Sequence, residues 1–145
     1  MIKVFLDTNI ILDIIEERQQ FLLPSLNVFD LGVRGKIQLC ATSLTFANCI
    51  YVARKNVGYE NAITGLRRLK QILKIVPMDD AQCLRALNSD MPDLEDMLQF
   101  EAAIAFGCDV IVTRDKNRLF PQNIIPILSP SDFLDFYQNN IVLQK

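Results

Sequence analysis

Ile2-Lys3-Val4-Phe5-Leu6-Asp7-Thr8-Asn9 is the stretch on which the reading of the fold turns. A short apolar run stops at three residues whose side chains favour caps and turns, which predicts a β-strand over residues 2–6. Ile10, Ile11, Ile14 and Ile15 then fall on one face of a helix over residues 10–17. Far down the chain, Asp109-Val110-Ile111-Val112-Thr113-Arg114-Asp115 repeats the arrangement: an apolar strand that runs into polar residues and an acid.

Outward from these two stretches, strands are expected over 37–41, 72–76 and 124–128. Helices are expected over 21–34, 44–55, 59–73, 79–88, 93–106 and 131–137. The clearest is 93–106, with Asp93 as its N-cap and Gly107 as its stop. Strands that alternate with helices imply right-handed crossovers and a sheet covered on both faces. The expected fold is therefore α/β: a three-layer α/β/α sandwich around a mostly parallel sheet of about five strands. Residues 1–138 are expected to form one domain and 139–145 a C-terminal tail. In such sheets, sites form beyond the carboxyl ends of the strands, where Asp7 and Asp115 stand.

Composition narrows the chemistry. A chain of 145 residues, half of them apolar, can hold its own core, since a domain of this size buries roughly 70% of its unfolded surface. No window approaches the ~20 continuous apolar residues of a membrane span. The apolar start is too short for a signal-peptide core. The expectation is a soluble, cytoplasmic protein that does not engage membranes. Four cysteines, Cys40, Cys49, Cys83 and Cys108, show no Cys-x-x-Cys spacing and read as buried thiols. The lack of histidine excludes Ser-His-Asp and Cys-His catalysis and any histidine-bound metal. A hydrolase of this composition must rely on carboxylates, a lysine or a metal. A net charge of −2 is not the basic footprint of a nucleic-acid binder. Acids gathered to hold cations would, however, lower the formal charge.

Each acid has an ordinary reading when taken alone. Asp7, Thr8 or Asn9 could cap the next helix, Asp115 could sit in a polar turn, and Asp93 is a good N-cap. Glu95 and Asp96 favour the helix dipole. Yet Asp96 is followed by Met97, Leu98, Ala102, Ala103, Ile104 and Ala105. A carboxylate at the edge of such a core is costly unless it is paired or binds metal. Asp93 and Asp96, three apart, share a helix face. Magnesium, a hard cation, takes oxygen ligands, usually few carboxylates plus waters and substrate phosphates. It can stabilise charge on a phosphate under attack without histidine or cysteine.

In that order, these pieces resemble the PIN (PilT N-terminal) domain family. Phe5-Leu6-Asp7-Thr8-Asn9-Ile10-Ile11 looks like the family's opening signature. Asp93-Leu94-Glu95-Asp96-Met97-Leu98-Gln99, with Ala102-Ala103, looks like its central acidic helix. Asp109 to Asp115 resembles its late strand and final acid. The resemblance extends to about Phe136. It implies a Mg²⁺- or Mn²⁺-dependent ribonuclease, similar to the VapC toxins of toxin–antitoxin pairs. It implies Asp7, Asp96 and Asp115 as catalytic, metal-binding acids, with Asp93 secondary and Thr8, Asn9 and Thr113 shaping the site. It further implies a homodimer, an RNA substrate and an antitoxin partner. One position departs: where the family pattern has a glutamate, Thr42-Ser43-Leu44-Thr45-Phe46-Ala47-Asn48 ends in an amide.

Arg114 and Lys116 flank Asp115 and read as phosphate contacts, or as partners of that acid. Phe21, Phe46, Phe106 and Tyr51 read as core. Two functions stay open. One is the ribonuclease. The other is a weak or inactive module of the same fold that binds RNA or protein, with Asn48 marking the lost acid. A receiver-type phosphotransfer domain fits less well. It would want a phosphoacceptor aspartate after a middle strand and a lysine after a late one. Here residues 72–76 lead into Pro77-Met78 and the late strand leads to Asp115.

Overall fold

The computed structural model describes residues 1–115, 120, 121 and 124–143, with backbone alone for 141–143. The elements run β1 (Lys3–Leu6), α1 (Thr8–Ile15), α2 (Leu22–Val33), β2 (Gln38–Ala41), α3 (Ser43–Val57), α4 (Tyr59–Lys70), β3 (Leu73–Ile75), α5 (Asp80–Leu87), α6 (Leu94–Phe106), β4 (Val110–Val112), β5 (Ile127–Leu128) and α7 (Pro130–Leu143). The sheet order is β3-β2-β1-β4-β5, and every neighbouring pair is parallel. This is the α/β sandwich expected from the sequence.

The alternation of side chains across each strand builds two cores. Val4, Leu6, Leu39, Ala41, Val110 and Val112 face a core shared with α1 to α4 and α7. Phe5, Cys40 and Ile111 face the opposite core, closed by Ala86 of α5 and by Met97, Phe100 and Ala103 of α6. The chain moves from β1 out to β3, then crosses back to β4 on the other side of β1. The switch point therefore lies between β1 and β4, and a crevice opens there beyond the strand ends.

Helix ends follow local chemistry. Thr42 caps α3, Asp79 and Gln82 form a capping box on α5, and Asp93 caps α6. Gly107 ends α6 with φ +81°, a conformation that costs a side-chain-bearing residue about 1–2 kcal/mol. Several ends differ from expectation by a few residues, among them α4, which stops at Lys70 and not at 73, and two of them have a local cause. The last strand holds only Ile127 and Leu128 because it has partners only in Ile111 and Val112. Its neighbour Pro126 has no N–H, though its carbonyl accepts from Ile111. The final helix is longer than 131–137. Ser129 caps it, Pro130 starts it, and no glycine or proline interrupts it through Leu143. Cys83 corrects the reading of four buried thiols: it is exposed, and the other three are buried. On α5 the inward positions belong to Gln82 and Ala86. No helix among the described residues is long and apolar enough to cross a membrane.

Candidate active site

β1 delivers Asp7 to the carboxyl edge of the sheet, where it is only 2% exposed. Its Oδ1 accepts from Thr8 N at 2.8 Å. Its Oδ2 accepts from the Thr113 hydroxyl at 2.8 Å and from Asn9 Nδ2 at 3.3 Å. Thr113 follows β4, so this bond spans the switch point. The same hydroxyl accepts from Asp115 N at 3.2 Å, and Asn9 Oδ1 accepts from Arg114 N at 3.3 Å. Asp7, Asn9, Thr113 and the backbone of Asp115 thus form one network. The carboxylate of Asp115 is on an exposed residue.

Asp96 stands in the first turn of α6, 4% exposed, with its N–H donating to the Asp93 cap at 3.0 Å. α6 is held against the end of β2 by Gln99, a buried residue that the sequence reading passed over. Thr42 Oγ1 donates to Gln99 Oε1 at 2.7 Å, and Gln99 Nε2 donates to Thr45 Oγ1 at 3.0 Å. One turn further along α3 and one turn back along α6, Asn48 Nδ2 donates to Glu95 Oε1 at 2.7 Å. Gln99 was in principle legible, since it lies three residues beyond Asp96 and so shares its face.

Arg114 reaches back to α1. Its Nε and Nη2 form a bidentate pair with Asp13, both at 2.9 Å, and its guanidinium lies 4.0 Å from the Phe21 ring centroid. Asp13 is fully buried on α1, among isoleucines. Its signal in the sequence was an acid inside an apolar helix face, which demands a cation. Lys116 falls outside the described residues.

A nucleophilic thiol finds no support at this edge. Cys49 Sγ points at the Thr8 carbonyl, 3.9 Å away. Burial pushes its pKa up to about 12, and the Asp7 and Glu16 carboxylates push the same way. It stays a thiol across the ordinary pH range.

The donors here are carboxylates, hydroxyls and amides, the set a hard cation prefers. Thr8 Oγ1 is buried with no hydrogen-bond partner among the described residues. No three acids or thiols among those residues stand close enough to hold a metal as a group. A magnesium-like ion, which is commonly bound through one or two carboxylates plus waters and phosphate, still fits this edge.

A second surface lies between α3 and α4. It is a groove of about 760 Å³ lined by Phe46, Ile50, Tyr59 and Ile63 and edged by Arg54 and Arg67. Tyr51, expected in the core, is exposed beside it, with Arg54 and Lys55 4.9 and 4.8 Å from its ring centroid.

A parallel sheet with an acid at its switch point, and a second acid on the helix packed beside it, defines a class of α/β domain. The PIN domain family model matches residues 3–117, and the chain belongs to that family. Ribonuclease VapC1 of Aquifex aeolicus (strain VF5) is 29% identical over 138 residues, 92% of this chain and 94% of that protein. Among solved structures, VapBC2 from Rickettsia felis, bound to a DNA fragment from its promoter, aligns with a TM-score of 0.62 at 20% identity. That alignment covers 88% of this chain and 98% of that one. DNA-bound VapBC from Salmonella typhimurium aligns with a TM-score of 0.64 at 21% identity, covering 90% and 99%. These two likenesses speak to the fold alone.

Proposed function

We propose that this protein is a divalent-metal-dependent endoribonuclease that hydrolyses RNA phosphodiester bonds, and that it is the toxin of a toxin–antitoxin pair. The observation that carries the reading is Asp7, buried at the switch point and bonded to Thr113 across it. The family membership and the ribonuclease relative support it. Of the proposed acids Asp7, Asp96 and Asp115, one or two at a time would hold Mg²⁺ or Mn²⁺, with waters and substrate phosphate supplying the other ligands. Such an ion supplies positive charge to the phosphate under attack and makes water easier to deprotonate. The chain's own residues prepare that chemistry. Thr8 N, Asn9 and the Thr113 hydroxyl fix the orientation of the Asp7 carboxylate. Asp93 fixes the start of the helix that bears Asp96. Arg114 anchors the turn that carries Asp115, and of its guanidinium Nη1 is the nitrogen not engaged by Asp13. Phosphate contact is assigned to that nitrogen and to Lys116.

The groove between α3 and α4 suits an antitoxin segment with apolar and acidic side chains, since its floor is apolar and its edges carry Arg54 and Arg67. A homodimer in the cytoplasm belongs to the same reading.

The test is cleavage of labelled structured and single-stranded RNAs with Mg²⁺, with Mn²⁺ and with EDTA, beside Asp7→Asn. The expected result is metal-dependent cleavage that the variant loses by a factor of at least about a hundred, with its circular dichroism unchanged. Wild-type cleavage by Asp7→Asn would overturn the site. Metal binding without cleavage of any RNA would favour a binding module, the reading that the amide at Asn48 supports.

A further inference from the structure

Resting on the ribonuclease reading above, we propose that the cavity beside Arg114 is a base-binding pocket, which takes one unstacked base of the RNA substrate.

The pocket lies beyond the carboxyl ends of β4 and β5, on the edge of the sheet that carries Asp7 and Thr113. It measures about 220 Å³. Gln20, Phe21 and Pro24 line it from the approach to α2 and its first turn, Arg114 from the turn after β4, and Ser129 and Ser131 from the passage of β5 into α7. Arg114 also ties the pocket to the acidic edge. Its backbone N–H donates to Asn9 at 3.3 Å, and Asn9 donates to Asp7 at 3.3 Å. A nucleotide whose phosphate meets Arg114 therefore has its base within reach of the pocket.

Size and chemistry choose the occupant. Pockets for whole small ligands begin at ~300 Å³, so this one suits a part of a larger ligand. It is still about seven times the ~30 Å³ share of a water, more than a lone ion needs. No carboxylate lines it to repel a phosphodiester chain. Phe21 is half-buried, and the Arg114 guanidinium lies 4.0 Å from its ring centroid. Aromatic rings and guanidinium planes are the surfaces on which single RNA bases stack. The Ser129 hydroxyl is occupied in capping α7. Gln20 and Ser131 are exposed, and they offer an amide and a hydroxyl to the edge of a base. An apolar wall with a polar rim matches a flat heterocycle better than an apolar side chain.

The experiment has two arms. The first follows amide chemical shifts of the isotope-labelled whole protein in EDTA. It is titrated to millimolar levels with nucleoside monophosphates and with ribose phosphate, which lacks the base. Nucleotides should move Gln20, Phe21 and Ser131, and ribose phosphate should leave them in place. Equal shifts from ribose phosphate, or none from nucleotides, would overturn the pocket. The second arm compares cleavage of an intact RNA with that of the same RNA made abasic at single positions around the cut. The enzymes are the wild type and Phe21→Leu, which keeps apolar bulk beside Arg114. Phe21→Leu should lower kcat/KM roughly tenfold on intact RNA, within the range of one lost stacked base. It should have little effect on the RNA that lacks the base for the pocket. An equal loss on every RNA would make Phe21 a structural residue and overturn the proposal. Cleavage of no RNA by the wild type would sink the ribonuclease reading, and the titration would still judge the pocket as a nucleotide site.

Discussion

Arg114 joins the chain's late strand to its first helix. Its fork meets Asp13, which is wholly buried, and Arg18 Nη1 stands 3.6 Å from the same carboxylate. Removing one partner of a buried pair leaves a charge that water cannot reach. Arg114→Ala is therefore expected to cost about 3 kcal/mol, the low end for such a loss because Arg18 remains nearby. Arg114→Lys should recover only part of this, since an ammonium cannot make the bidentate contact or stack on Phe21 in the same way. Urea denaturation of the three proteins is the check. Equal midpoints would remove the ion pair from the account of stability. The sequence marked Arg114 by its place beside Asp115, yet its partner lies 101 residues away on another element. No local signal could choose between the two acids.

Glycine placement shows how two helices can give one substitution opposite effects. On α4, a Cβ at Gly65 would meet Ile15 Cγ1 at 3.4 Å, an ordinary contact. Gly65→Ala is then expected to stabilise by about 0.5–1 kcal/mol through helix propensity. On α2, a Cβ at Gly32 would press on Leu39 Cγ at 2.8 Å, and Leu39 is fully buried in β2. Gly32→Ala should destabilise by about 1–2 kcal/mol, overpacking outweighing the propensity gain. Thermal melts of both variants decide this, and shifts of the same sign would contradict it. In sequence the two glycines look alike, each single inside a helical pattern. What separates them is the distance between packed layers. The stop of α6 at Gly107 was legible because a cap is a local event.

At the scale of the whole molecule, the sheet order places the Asp7 and Thr113 strand ends side by side and sets α3 against them. Cys49 reports on how closed that arrangement is. Its pKa is raised from 9.0 to about 12, first by burial and then by Asp7 and Glu16. The folded state therefore holds this proton more tightly than the unfolded chain. The resulting stability is complete below pH 9.0 and is lost as pH rises toward about 12. Unfolding free energies of the wild type and Cys49→Ala, measured in EDTA across that window, should differ by an amount that shifts against the wild type as pH rises. A constant difference would mean that the thiol is hydrated in the folded protein.

The sequence by itself determined the alternation of strands and helices, the parallel sheet and most helix ends, and it supplied the acids proposed for the site. Those follow from periodicity, caps and composition, all of which act over a few residues. Only the tertiary structure decided that Asp7 and Asp96 are buried while Asp115 is exposed. It alone turned Arg114 to Asp13, inserted Gln99 between Thr42 and Thr45, and joined Asn48 to Glu95. Each of those pairs joins residues at least 47 positions apart. They meet because strands of one sheet and helices on its faces are packed together, and hydrogen-bond geometry within about 3 Å is set by that packing alone.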